Sequence, residues 1–110
     1  MIFDIFVISE INKNVFKEEI NICKKDFEFE LDFSVYAYKT NYSNINGFYD
    51  SYGKKIFIKV DIGVSQVLDY SKYKKIFLHE LLHHIIHSNK IENIPDLELF
   101  IQNYIKSKGY

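Results

Sequence analysis

The chain of 110 residues contains no arginine and no tryptophan, and only one cysteine, one proline and four glycines. The single cysteine, Cys23, excludes an internal disulfide bond and is typical of a protein from a reducing compartment. All fourteen basic residues are lysines, and together with fifteen acidic residues they give a net charge of −1. This balance gives no electrostatic reason to expect a nucleic acid or an anionic membrane as partner.

Long apolar runs are also missing. No segment approaches the roughly eighteen apolar residues that a membrane-spanning helix needs. The first eight residues are apolar but include Asp4, and they lack the basic region and the small-residue cleavage site of a signal peptide. The length and the apolar fraction of 47% are those of one soluble domain, residues 1–110, which we expect in the cytoplasm.

The most informative motif is H-E-x-x-H at residues 79–83, which reads His79-Glu80-Leu81-Leu82-His83. Residues i and i+4 of an α-helix lie on one face about one turn apart, so both imidazoles can bind one metal ion. A glutamate beside the first histidine lies close enough to act as general base towards water at that ion. The alternative interpretation is a solvated polar helix face that carries histidines by chance.

A catalytic zinc ion usually has three protein ligands, so the motif needs one more. His87 lies two helical turns beyond His79, about 12 Å along the axis, which is too far for one ion to bind both. We therefore interpret His87, and likewise His84, as residues that support the site or lie on the surface. The metzincin pattern requires a glycine and a histidine where this chain has Ile86 and Asn89, so that pattern is excluded.

The remaining source of a third ligand is a carboxylate from the next helix, and the candidates are Glu92, Asp96 and Glu98. Glu98 lies at the edge of that helix's apolar stripe, from which a side chain can reach a helix packed alongside. Asp96 is better suited to the role of a first-turn acid that the helix dipole favours. Glu98 is therefore the preferred ligand, while Glu92 and Asp96 stay open.

Hydrophobic periodicity predicts an α+β domain with three main helices and a small antiparallel sheet of about three strands. The first helix follows Asn12 or Asn14 and ends near Lys25. The second spans residues 72–87 after a cap at Ser71 and stops at Asn89. The third begins at Pro95 and ends near Gly109. The three sheet strands are predicted at residues 27–37, 48–49 and 54–61. Residues 2–8 fit a further strand or a buried helical lead-in, and residues 62–70 are ambiguous, with a strand end near Gly63 and room for a helical turn after it.

His79-Glu80-x-x-His83 followed by a carboxylate on the next helix resembles the gluzincin metallopeptidases. The order of helix, small sheet, motif helix and glutamate helix looks like the minimal gluzincins of archaea, the minigluzincin or selecase-like group. The resemblance implies a minimal zincin-like catalytic domain, Zn²⁺ bound by His79, His83 and Glu98, and Glu80 as general base. The run H-E-L-x-H-x-x-x-H also resembles the ImmA/IrrE-type metallopeptidases, although the Ala-Asn pair that usually follows their ligand glutamate is absent.

These observations predict a zinc-dependent endopeptidase that acts on peptides or unfolded proteins. The substrate is expected to lie extended along an exposed sheet edge, at residues 54–61 or a neighbouring strand. The competing hypothesis is a zinc-binding module with little or no catalysis. The surplus of aromatic residues, ten phenylalanines and nine tyrosines, predicts self-association into homo-oligomers in either case.

Overall fold

A computed structural model describes residues 5–41, 45–60 and 70–110 of the chain. The fold is α+β, as the sequence predicts. The strands are β1 (Ile5–Ile11), β2 (Ser34–Thr40), β3 (Gly47–Asp50) and β4 (Lys55–Lys59), and the helices are α1 (Lys17–Asp26), α2 (Lys74–Ser88) and α3 (Leu97–Ser107). Short 3-10 helices, Lys13–Phe16 and Tyr70–Tyr73, precede α1 and α2. Most of the ambiguous segment, residues 62–69, lies outside the described residues.

The sheet differs from the prediction in strand number and direction. It has four strands in the order β1-β2-β4-β3, and β2 runs parallel to β4 while the two outer pairs are antiparallel. The predicted β3–β4 hairpin is present, but β3 lies on its outer side, so β4 becomes an internal strand. Among the described strands, the edge of the sheet next to the helices is therefore β3, which neighbours the segment 54–61 predicted to hold the substrate.

Residues 27–33 were predicted to be part of a long strand, but regular pairing begins only at Ser34. The predicted alternation survives in the burial of Phe29 and Phe33, whereas Leu31 is 43% exposed. In place of strand partners, several carbonyl groups of this segment accept hydrogen bonds from side chains: Lys24 Nζ to Phe29 O (3.0 Å), Lys13 Nζ to Leu31 O (2.7 Å) and Asn89 Nδ2 to Glu28 O (2.8 Å). These donors stabilise an extended segment without a sheet.

The ends of α2 are set differently from the prediction. The helix begins at Lys74 and not next to Ser71, because the 3-10 turn Tyr70–Tyr73 comes first. It stops at Asn89 as expected, but Asn89 has a φ of −88°, and the left-handed residue is Lys90 with a φ of 52°. Ile91 N donates to Ile86 O (3.0 Å), which closes the helix end in the manner of a Schellman motif.

The start of α3 also differs from the prediction, by two positions, because the helix begins at Leu97. Asp96 is the N-cap, and its carboxylate accepts a hydrogen bond from Leu99 N at 3.1 Å. Pro95 therefore precedes the helix and is not its first residue. Gly109 follows the helix with a φ of 89°, as a glycine terminator does.

The core lies between the sheet and α2. Leu78, Leu81, Leu82 and Ile85 of α2 are fully buried, as the helical periodicity predicts. Phe77 stacks on Phe16 with ring centroids 4.2 Å apart, which ties α2 to the start of α1. Within the described residues, no helix combines the length and apolar composition that crossing a membrane requires.

Candidate metal centre

Two of the predicted ligands lie on the solvent-facing side of α2. Because the apolar residues of α2 pack inwards, His79 and His83 face outwards, and their side chains are 28% and 25% exposed. Their ring centroids are 5.1 Å apart, as expected one helical turn from each other. Burial lowers the pKa of His79, which favours the neutral form of the ring that a metal ligand needs.

The third predicted ligand reaches this pair from α3. Glu98 Oε2 lies 3.1 Å from His79 Nε2, and Glu98 Oε1 lies 3.1 Å from His83 Nε2. One carboxylate thus bridges both histidines, from a helix that packs beside α2. Three donor atoms, one from each residue, lie within 4.8 Å of one another.

This donor set suits zinc. Two imidazole nitrogens and one carboxylate oxygen are common ligands of catalytic zinc. Donor atoms at about 2.1 Å from a tetrahedral ion lie about 3.4 Å from one another. The two contacts of 3.1 Å are close to that spacing, and no pair of the three donor atoms is more than 4.8 Å apart. A rearrangement of these side chains, which are between 25% and 56% exposed, can therefore bring all three to one ion.

Glu80, the predicted general base, lies beside this group but is nearly buried, with 6% of its surface exposed. Burial, with a further contribution from the charge of Glu98, raises the pKa of Glu80 to about 7. Strand β3 passes close to it at Gly47. A Cβ atom at this glycine would lie 2.8 Å from Ile76 Cγ2 and 3.5 Å from Glu80 Cγ, so only glycine allows this approach.

The two alternative carboxylates take other positions. The carboxylate of Asp96 is occupied as the cap of α3. Glu92 is exposed in the connection between α2 and α3, and among the described residues it is not part of a group of potential metal ligands. His87 is exposed, as expected, with its ring centroid 6.4 Å from that of Tyr49.

His84 is predicted either to support the site or to lie on the surface, and the surface position is wrong. The residue is fully buried. Its Nδ1 lies 2.8 Å from the hydroxyl of Tyr49, and its Nε2 lies 3.4 Å from the carbonyl oxygen of Glu30 and 3.5 Å from Asp32 Oδ1. His84 thus joins α2 both to β3 and to the irregular segment 27–33. The one signal of this burial in the sequence is the position of His84 about 100° round the helix from His83, which places it beside the apolar face.

Two cavities flank His79 and Glu80 and share these two residues and Gly47 as lining; we refer to the two together as the cleft. One, the lysine cavity, has a volume of about 700 Å³ and is lined by Lys75, Lys106, Gln102 and Asn103, among others. The other, the apolar cavity, has a volume of about 680 Å³ and is lined by Phe48, Ile86, Ile91 and Leu97, among others. Gly47 of β3 borders both cavities, so the free edge of the sheet runs along the cleft.

No protein-family model matches this chain, and no curated protein and no solved structure matches it significantly.

Proposed function

We propose that the protein is a zinc-dependent endopeptidase of the gluzincin type. The observation that carries the proposal is the position of Glu98, whose two carboxylate oxygens each contact one of the motif histidines at 3.1 Å. A solvated polar face would not require a carboxylate from another helix to meet both histidines. The nearly buried Glu80 beside this group supplies the fourth element of the site.

Each residue then has a chemical role. His79, His83 and Glu98 hold the zinc ion, which when bound polarises a peptide carbonyl and lowers the pKa of water. Glu80 accepts a proton from the attacking water and donates it to the amine that leaves. Its burial suits both steps, because a carboxyl group with a pKa of about 7 can be charged or neutral near neutral pH.

The substrate in this proposal is an extended peptide or an unfolded protein segment. The free edge of β3 offers backbone hydrogen-bonding groups beside Glu80, and an extended segment can pair with it as an added strand. The open cleft suits chains without fixed structure. We assign this activity to the cytoplasm, because the chain has a single cysteine, Cys23, and therefore no internal disulfide bond.

Hydrolysis of an unstructured polypeptide before and after metal removal tests the proposal. The wild-type protein should cleave the polypeptide, lose this activity in the presence of a zinc chelator and regain it when zinc is added back. Mass spectrometry should identify products that each carry a new amino terminus and a new carboxyl terminus. The proposal is wrong if the zinc-loaded protein produces no fragments, or if fragments form at the same rate in the chelator.

One observation favours the second candidate function, a self-associating zinc module. Strand β1 lies at the other edge of the sheet, and it exposes Phe6, Val7 and Ile8 to 63%, 54% and 37%. An apolar edge strand is a template for pairing with another copy of the chain. Light scattering should detect oligomers that Val7→Lys disrupts. Zinc binding without peptide cleavage would favour this function over the peptidase.

A further inference from the structure

The two ends of the cleft differ in charge. The lysine cavity is lined by two lysines, one from each of the helices that flank it, and its only acidic residue among those described is Glu80, which lines both cavities. The apolar cavity holds one lysine, Lys90, with the acids Glu92 and Glu98 and several aliphatic side chains. A bound peptide would thus meet unlike surroundings on the two sides of Glu80.

The two lysines continue the helix faces that carry the metal site. Lys75 lies one turn before His79, about 6 Å along α2, and Lys106 lies two turns after Glu98, about 12 Å along α3. Within the described part of the chain, neither ammonium group takes part in an ion pair or a hydrogen bond. Among the described residues, no carboxylate within ion-pair distance therefore compensates their positive charges.

The position of Lys75 costs stability. It lies in the first turn of α2, a turn that contains no acidic residue. A cation at this end of a helix is opposed by the helix dipole. Lys74, its neighbour, forms an ion pair with the carboxylate of Glu18 at 3.6 Å, whereas Lys75 lines the cavity without such a partner among the described residues. A lysine that weakens its own helix and points into the cleft is suited to binding an anion.

The direction of β3 shows which end of a peptide would reach these lysines. Asn46, just before the strand, borders the lysine cavity, and Ser51, just after it, borders the apolar cavity. Antiparallel pairing is somewhat more stable than parallel pairing. A peptide paired antiparallel to β3 therefore enters through the apolar cavity, and its carboxyl-terminal part lies in the lysine cavity.

We propose that Lys75 and Lys106 form a carboxylate-binding subsite for substrate residues on the carboxyl-terminal side of the scissile bond. This inference rests on the proposed peptidase function. The 6 Å between Lys75 and His79 corresponds to about two residues of extended chain. The carboxylate is therefore expected within about three residues after the scissile bond, either as an Asp or Glu side chain or as the free carboxyl terminus of the peptide.

Cleavage-site profiling of a mixed peptide library tests the subsite. The zinc-loaded wild-type protein should prefer Asp or Glu within three positions after the cleaved bond. Two pairs of peptides based on a preferred cleavage site then distinguish the two sources of the carboxylate. One pair carries Glu or Gln at the preferred position, and the other ends in a free or an amidated carboxyl terminus. Lys75→Ala/Lys106→Ala should lower kcat/KM about tenfold on the acidic peptides and less than about twofold on neutral ones, since each exposed ion pair contributes up to about 1 kcal/mol.

A matched control removes two other exposed lysines, Lys17 and Lys25 of α1, which border neither cavity. Lys17→Ala/Lys25→Ala changes the net charge equally and should keep the preference for acidic residues. Added salt should reduce this preference in the wild type, because exposed charges are screened. The subsite is refuted if the library shows no such preference, if acidic residues are preferred before the bond, or if both double variants lose the preference equally.

A binding measurement separates failure of the subsite from failure of the peptidase. Fluorescence anisotropy of a labelled peptide with two Glu residues, and of its Gln counterpart, is measured on the zinc-loaded Glu80→Gln protein. The subsite is supported if the Glu peptide binds more tightly than the Gln peptide and if Lys75→Ala/Lys106→Ala abolishes this difference. This holds even if no peptide is hydrolysed. Equal binding of both peptides refutes it even if hydrolysis is observed.

Discussion

Replacing Glu98 with glutamine should separate metal binding from folding. The change keeps the shape of the side chain but removes the charge that contacts His79 and His83, each at 3.1 Å. Loss of an outer residue that merely orients a ligand costs about 10–100-fold in metal affinity. Removing a ligand itself should cost more, so we expect zinc affinity to fall by more than about 100-fold, or about 2.7 kcal/mol.

The same change should leave the metal-free protein almost unaffected. The side chain of Glu98 is 56% exposed, so its contacts with the two histidines are screened by water. Urea unfolding without zinc should therefore show a change of less than about 1 kcal/mol. Zinc affinity is measured by competition with a chromophoric chelator, and bound zinc should raise the unfolding midpoint of the wild type much more than that of Glu98→Gln.

Glu92→Gln is the matched control, because Glu92 also borders the apolar cavity but does not contact the histidines. It should bind zinc as the wild type does. Asp96→Asn should likewise keep zinc affinity, because asparagine also caps helices well. The assignment of Glu98 as third ligand is wrong if Glu98→Gln binds zinc like the wild type, or if Glu92→Gln weakens binding more.

Three further results are expected. Gly47→Ala should destabilise the protein by about 1–3 kcal/mol in urea unfolding, because the added Cβ would lie 2.8 Å from Ile76 Cγ2 and 3.0 Å from Phe57 O. An unchanged urea midpoint would mean that β3 does not approach α2 so closely. Phe77→Ala should cost about 3–5 kcal/mol by the same method, since the ring is fully buried against Phe16, and a cost below about 1 kcal/mol would contradict this packing. Hydrogen bonds from Lys108 and Tyr104 lower the pKa of Asp26, so its contribution to stability is complete above about pH 4 and is lost as the pH falls further. In a plot of unfolding free energy against pH, Asp26→Asn should therefore reduce the fall at acidic pH. An unchanged fall would show that the hydrogen bonds do not form.

The parts of the site that follow from local periodicity could be predicted from the sequence. The spacing of His79 and His83 places both on one helix face whatever the rest of the chain does. The position of Glu98 at the edge of an apolar stripe indicated which carboxylate can reach a neighbouring helix. Both inferences needed only the assumption that two helices pack side by side, and the structure brings these three residues together.

The parts that depend on distant pairing could not be predicted in the same way. Alternation identified β2 and β4 as strands, but a strand pattern does not say which neighbour a strand has, so their parallel pairing was missed. The burial of His84 depends on Tyr49, which lies 35 residues away in the chain. Residues 27–33 alternate like a strand, yet lysine and asparagine side chains from elsewhere bind their carbonyl groups.

The most direct test of the peptidase proposal compares two proteins with equal, measured zinc content. Wild type and Glu80→Gln are loaded with one zinc ion per chain, and the cleavage rate of the same unstructured polypeptide is measured at one protein concentration. If Glu80 is the general base, the variant should keep its zinc and cleave at least about 100-fold more slowly. Equal rates at equal zinc content would contradict the proposed role of Glu80 and the hydrolytic site built around it.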